Sequence, residues 1–239
     1  MKTLVTNMEL EQVGEGLIRK YIGRRRPPPR CVDIEGFITD YLRLPIVYAA
    51  IAEEDRDKIG FTSDGRYPLK IYEKGAVAER VYPKGTIVVD RYLLYADRSG
   101  QRRFTLAHEA AHVIFERMSP LAPGPCFNRY FDRERSYDLA ELRDRLNLCE
   151  TQTDRLASVL LMPRFLTEQT MKEYNGGGPI PVYGEGVLRS RDKVLVQTMA
   201  NAMGVSFSAL INRLRVLEFL DHRDITEYIN SEMDFGGID

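Results

Sequence analysis

A clear helical pattern runs from Phe104 to Arg117, where Phe104, Leu106, Ala107, Ala110, Ala111, Ile114 and Phe115 recur at the 3.6-residue period and neither Gly nor Pro intervenes. A second apolar stripe spans Tyr137 to Met162 and consists of Leu139, Leu142, Leu146, Cys149, Thr153, Leu156 and Leu160. Nearer the N-terminus, residues 8–22 predict an amphipathic helix, with Leu10, Val13, Leu17, Ile18 and Tyr21 near one face. The basic, proline-rich stretch from Gly23 to Arg30 follows and cannot be helical. Asp33 to Leu44 shows another helical pattern through Ile34, Phe37, Ile38, Tyr41 and Leu42.

Three segments alternate or carry β-branched runs and predict strands: Ile46–Ala50, Leu69–Tyr72 and Gly85–Asp90. Helical patterns then dominate to the end, there are no internal repeats, and the only low-complexity patch is Asn175–Pro179. Helices, a small sheet, then more helices predict an α+β fold. The pattern divides into an N-terminal helix and linker (1–30), a main domain (31–190) and a C-terminal helical segment (191–239). In that last segment, Val194–Met203, the turn Gly204-Val205-Ser206 and Phe207–Leu217 are spaced like a helix-turn-helix unit. Asn212, Arg213 and Arg215 on its second helix are within reach of DNA in such a unit. The stronger expectation is that 194–217 packs on the core, because no basic stripe crosses it and the net charge is −1.

Composition narrows the classes of function. Lys plus Arg (34) nearly equals Asp plus Glu (35), so no overall field points to nucleic acid or membrane. No apolar stretch approaches the roughly 20 residues that span a bilayer, and Met1–Gln12 lacks a signal-peptide core. The three cysteines, Cys31, Cys126 and Cys149, are an odd set without a C-x-x-C pair. They predict a reducing, cytoplasmic setting rather than a disulfide framework.

The candidate chemistry lies inside the first helical pattern, in His108-Glu109-Ala110-Ala111-His112. On a helix, H-E-x-x-H puts two imidazoles one turn apart on one face, where they can grip one Zn²⁺ with the Glu beside it as general base. Two of the chain's three histidines stand here. A catalytic zinc site needs a third protein ligand and an open position. Stepping about 100° per residue along the second stripe sets Glu150 at its edge, aimed toward the core, while Glu141 and Asp144 point away. Glu150 is therefore the candidate third ligand, a carboxylate at a helix boundary being the plainer alternative. Asp154, one turn on, is placed to accept a hydrogen bond from the far nitrogen of a metal-bound imidazole, or else is a surface carboxylate. Mn²⁺ or Fe²⁺ would also suit a His₂Glu set. For the oxyanion, His222, Tyr130 and Tyr137 are candidates by residue type alone, His222 reading more simply as an exposed loop residue. An exposed sheet edge such as that near Thr86–Asp90 could take a substrate as an added strand. Cys149 reads as a buried structural thiol, and nothing assigns Cys126 a role.

These residues resemble the ImmA/IrrE metallopeptidases over most of the chain. Val32–Ile38 is similar to that family's N-terminal helix, Gly85–Asp90 to its strand ahead of the active-site helix, and Arg103–His112 to its signature, with Ala110-Ala111 in place of the common Leu-Gly. Glu150-x-x-x-Asp154 followed by Arg155–Pro163 resembles its second signature, in which the first Glu is the third zinc ligand; Leu156 stands where an aromatic is more usual. The stretch Met118–Ser136 looks longer than in the family. The resemblance implies a zincin-like fold, one zinc ion per chain, and endopeptidase activity on a regulatory protein. The implied substrate is a DNA-binding repressor of a mobile element or stress response. A non-catalytic regulator that keeps the fold and binds protein or DNA is the alternative, and the intact Glu109 favours the enzyme.

Overall fold

The computed structural model describes residues 6–23, 29–55, 58–118 and 139–233, with no side-chain description for 139–148 and 231–233. It is a mixed α+β structure with small sheets, as the element order predicts. Contacts between residues cluster into two units, Met1–Pro163 and Arg164–Asp239. That boundary lies ahead of the 190/191 division drawn from the sequence, because the helix and strand after Pro163 group with the C-terminal helices. No single helix among the described residues is long and apolar enough to cross a membrane.

In the first unit, α1 (Asn7–Ile22) starts at a reciprocal cap: Thr6 accepts from the Glu9 amide, and the Glu9 carboxylate accepts from the Thr6 amide. It buries Leu10, Gly14, Ile18 and Ile22 and packs on α4 (Leu139–Leu161). The two helices approach so closely that a Cβ on Gly14 would lie 2.6 Å from Val159 Cγ1. Gly14→Leu should therefore overpack this seam and destabilise the unit by about 1–3 kcal/mol, read as a lowered denaturant midpoint with an unchanged slope.

The Asp33–Leu44 pattern is helical but not one regular α-helix. A short α2 (Ile34–Gly36), capped by Asp33, widens at Phe37–Tyr41 into a turn closed by Leu42 N–H on Phe37 O at 2.9 Å. The strands are β1 (Ile46–Ala49), β2 (Gly60–Thr62), β3 (Leu69–Glu73), β4 (Ala76–Arg80) and β5 (Ile87–Asp90). β5 lies between β1, parallel, and β2, antiparallel. Its three valine and isoleucine side chains are fully buried, as a central strand requires. The Thr86–Asp90 segment is thus no sheet edge; among the described residues the edge on this side is β2. β3 and β4 form a separate hairpin whose turn residues Lys74 and Gly75 both have positive φ (52° and 86°), as a two-residue turn of the hairpin type demands.

After β5 come two short 3₁₀ turns (Arg91–Leu94 and Ala96–Arg98) and α3 (Ser99–Met118). α3 buries Leu106, Ala107, Ala110, Ala111, Val113, Ile114 and Phe115 against the sheet and α4. Phe104, counted with that face by periodicity, is instead 38% exposed at the end of the buried stripe. Two arginines fasten α3 to the N-terminal segment: Arg103 Nη2 donates to Val32 O at 2.8 Å and Arg117 Nη2 to Leu42 O at 3.0 Å.

The second unit holds α5 (Arg164–Asn175), β6 (Ile180–Tyr183), α6 (Ser190–Met203), α7 (Phe207–Val216), β7 (Leu220–Arg223) and α8 (Ile225–Met233). Helices dominate it, as the sequence predicts, but two short strands that the sequence pattern does not predict, β6 and β7, pair in parallel. α6 ends at Gly204 in the left-handed conformation (φ 65°), and α7 begins at Ser206, which caps the Ala209 amide. The two helices meet at 97°. Arg213 is buried at 3% exposure and is not available to DNA; Arg215 is exposed and donates to Asn212 Oδ1 at 3.0 Å.

Candidate metal centre

α3 and α4 run together, and each supplies half of the site. On α3, the four-residue spacing sets His108 and His112 on one face, with ring centroids 4.7 Å apart and Nε2 atoms 3.0 Å apart. On α4, Cys149, Thr153, Leu156 and Leu160 face inward, so Glu150 and Asp154 lie at the rim of the buried stripe. Glu150 is not directed into the core; its side chain is 54% exposed and reaches sideways to the imidazoles. Its Oε2 lies 3.3 Å from His108 Nε2 and 3.8 Å from His112 Nε2. A tetrahedral ion with bonds of about 2.0–2.1 Å sets neighbouring donors roughly 3.3–3.4 Å apart, and the three observed separations bracket that spacing. His108, His112 and Glu150 thus form a group that could hold one metal ion.

Asp154 Oδ1 stands 2.9 Å from His108 Nδ1. A proton on Nδ1, donated to Asp154, leaves the Nε2 lone pair directed at Glu150 and His112, which is the tautomer a metal requires. In the metal-free protein, burial works against charge on His108. The hydrogen bonds to Asp154 and Glu150 overcome it, so the imidazole is pushed up to about 10. The same His108 contact holds the Glu150 carboxyl below its ordinary value, burial opposing it. At neutral pH the metal-free site therefore carries an extra proton on His108, and a metal must expel it. Because the pKa is raised, that proton is bound throughout the neutral range. Zinc affinity should then rise about tenfold per pH unit between roughly pH 6 and 8, for one proton released. Calorimetric titration with zinc in buffers of different ionisation enthalpy reads the proton directly.

Glu109 projects from the same turn to a different neighbour. It is only 7% exposed, and its Oε2 accepts a hydrogen bond of 2.6 Å from Thr62 Oγ1 on β2. Its Oε1 lies against Gly60, where a Cβ would approach to 2.7 Å. The carboxylate is thus held against β2, within electrostatic reach of His108 and outside the three-donor group. Thr62 and Gly60 are the site neighbours that sequence reasoning missed. Their faint signal is Ile59-Gly60-Phe61-Thr62, a β-branched and aromatic run too short to show alternation.

Of the remaining candidates, only some belong to the described residues. His222 lies on β7 in the second unit, exposed, and in a strand rather than a loop. Tyr130, Tyr137 and Cys126 lie outside the described residues, as does most of the Met118–Ser136 stretch. Cys149 is buried, and Cys31 is partly buried. No protein-family model matches the sequence, and no curated protein matches it either.

Proposed function

We propose that this chain is a zinc-dependent endopeptidase of the ImmA/IrrE kind, built on a zincin-like arrangement of α3, α4 and the small sheet. Its substrate class is a regulatory protein, most naturally a DNA-binding repressor of a mobile element or stress response. The observation that carries the reading is the convergence of two imidazole nitrogens and the Glu150 carboxylate beside a buried, separately held Glu109. A pure binding module has no need of that fourth group.

Zinc, when bound, supplies Lewis acidity: it acidifies a water molecule and polarises the scissile carbonyl. The protein does the rest. Asp154 keeps the His108 proton on Nδ1. Glu109 accepts the proton of the attacking water and passes it to the leaving amine, so the carboxylate begins and ends the cycle ionised. The substrate strand has a natural place along β2, which among the described residues is the sheet edge next to Glu109. Binding to DNA without catalysis is the weaker reading, since Arg213, one of the two arginines of α7, is buried.

Incubating the purified protein with a panel of repressor-type DNA-binding proteins tests this reading. We expect discrete cleavage that stops with a zinc chelator and returns with added zinc. Cleavage that persists in the metal-stripped protein would refute it.

A further inference from the structure

We propose that the edge strand β2 is the seat of the general base: Thr62 and Gly60 position Glu109, and the same two residues tie the docking of a peptide along β2 to that position. This rests on the peptidase reading above and adds residues to it. Gly60 and Thr62 are two apart, so their side-chain positions share one face of the strand, the face toward α3. Thr62 Oγ1 is 2.6 Å from Glu109 Oε2 and 3.3 Å from the Glu109 carbonyl oxygen. A hydroxyl has one proton to give, and the shorter contact to a carboxylate takes it. Oε2 is thereby engaged, and Oε1 is the oxygen left for the reacting water. Gly60 completes the seat by omission, because any side chain there would stand within 2.7 Å of Oε1 and of Thr105 Cγ2.

The backbone of these residues faces the other way. In the antiparallel pair, Asp90 N–H donates to Ile59 O and Ser63 N–H donates to Thr86 O, so residues 59 and 63 bond to the β5 side. Gly60 and Thr62 sit opposite Val89 and Ile87 at the alternate positions, and their N–H and C=O groups point away from β5, along the side of β2 on which no described strand pairs. A peptide adding to that edge would bond to the backbone of the residues whose other side holds the base. Strand docking and base placement are then one structural event. Thr62 and Gly60 are positioning residues and touch neither metal nor reacting atoms.

The test pairs crystal structures of the zinc-loaded wild type and Thr62→Val with steady-state kinetics on one cleaved peptide, adding Thr62→Ser and Gly60→Ala. Zinc content should be unchanged in all variants. Thr62→Val should lower kcat about 10- to 100-fold with KM within about twofold, and its Glu109 carboxylate should leave the β2 seat. Thr62→Ser should bring kcat back to within about threefold of wild type by restoring the hydroxyl. Gly60→Ala should lower kcat and displace Glu109 with the hydroxyl intact. An unmoved Glu109 in Thr62→Val with unchanged kcat, a change in KM alone, or no rescue by Ser would each overturn the proposal. Glu109→Gln cleaving as well as wild type would instead overturn the peptidase reading. If wild type cleaves nothing, the position of Glu109 in the Thr62→Val crystal decides whether the seat exists.

Discussion

Replacing Glu109 by Gln should lower the rate of peptide cleavage by about 10²–10⁴-fold, the range that a positioned general base contributes. Zinc content and unfolding midpoint should stay near those of wild type. The amide keeps the shape of the side chain, and its oxygen can still accept from Thr62, so the 2.6 Å contact with β2 has a successor. What is lost is the lone pair that takes the water's proton. Because Glu109 is not one of the three grouped metal donors, its replacement separates chemistry from metal binding. Kinetics on a cleaved peptide, run beside metal analysis, should show kcat collapsing while KM and zinc change little. Parallel loss of zinc would mean that Glu109 supports the metal instead.

The second large effect concerns the carboxylates of α4, which should fall on a ladder. Asp154→Asn removes the partner of His108 Nδ1 and should weaken zinc binding by about 10–100-fold, the usual cost of losing such a support. Glu150→Gln removes a direct donor and should cost more than that, since a neutral amide oxygen is a poor substitute for a carboxylate on zinc. Both side chains are more than half exposed, so neither change should disturb the core. Competition titrations against a chromogenic zinc chelator read both affinities. If Asp154→Asn were the more damaging of the two, the roles assigned to Glu150 and Asp154 would have to be exchanged.

The site was legible where one periodic element carried the chemistry. The α3 pattern fixes which face is buried, and four-residue spacing then forces His108 and His112 together. On α4 the same reasoning put Glu150 at the boundary of the buried stripe but misjudged its direction. It is exposed because the imidazoles approach from the rim, and an angular projection of a single helix cannot show where its neighbour stands. β2 was invisible because three residues cannot display a period of two, and its role depends on pairing with β5 some 27 positions on, from Gly60–Thr62 to Ile87–Val89. β4 was hidden by Ala76, Ala78 and Glu79, residues poor in strand preference, although the Lys74-Gly75 turn marks its start. In the second unit, Pro181 argued against a strand at β6, and its partner β7, Leu220–Arg223, is largely polar. Parallel pairing of two such short segments, with two helices between them, leaves no local signal.

We propose that His108, His112 and Glu150 together bind one zinc ion beside a base held by β2. Anomalous X-ray scattering at the zinc edge from crystals of the zinc-loaded protein tests it most directly. One peak should appear about 2.0–2.2 Å from His108 Nε2, His112 Nε2 and a Glu150 carboxylate oxygen, with Glu109 still hydrogen-bonded to Thr62. A folded, zinc-soaked protein with no peak there, or with zinc held by other residues, would contradict it.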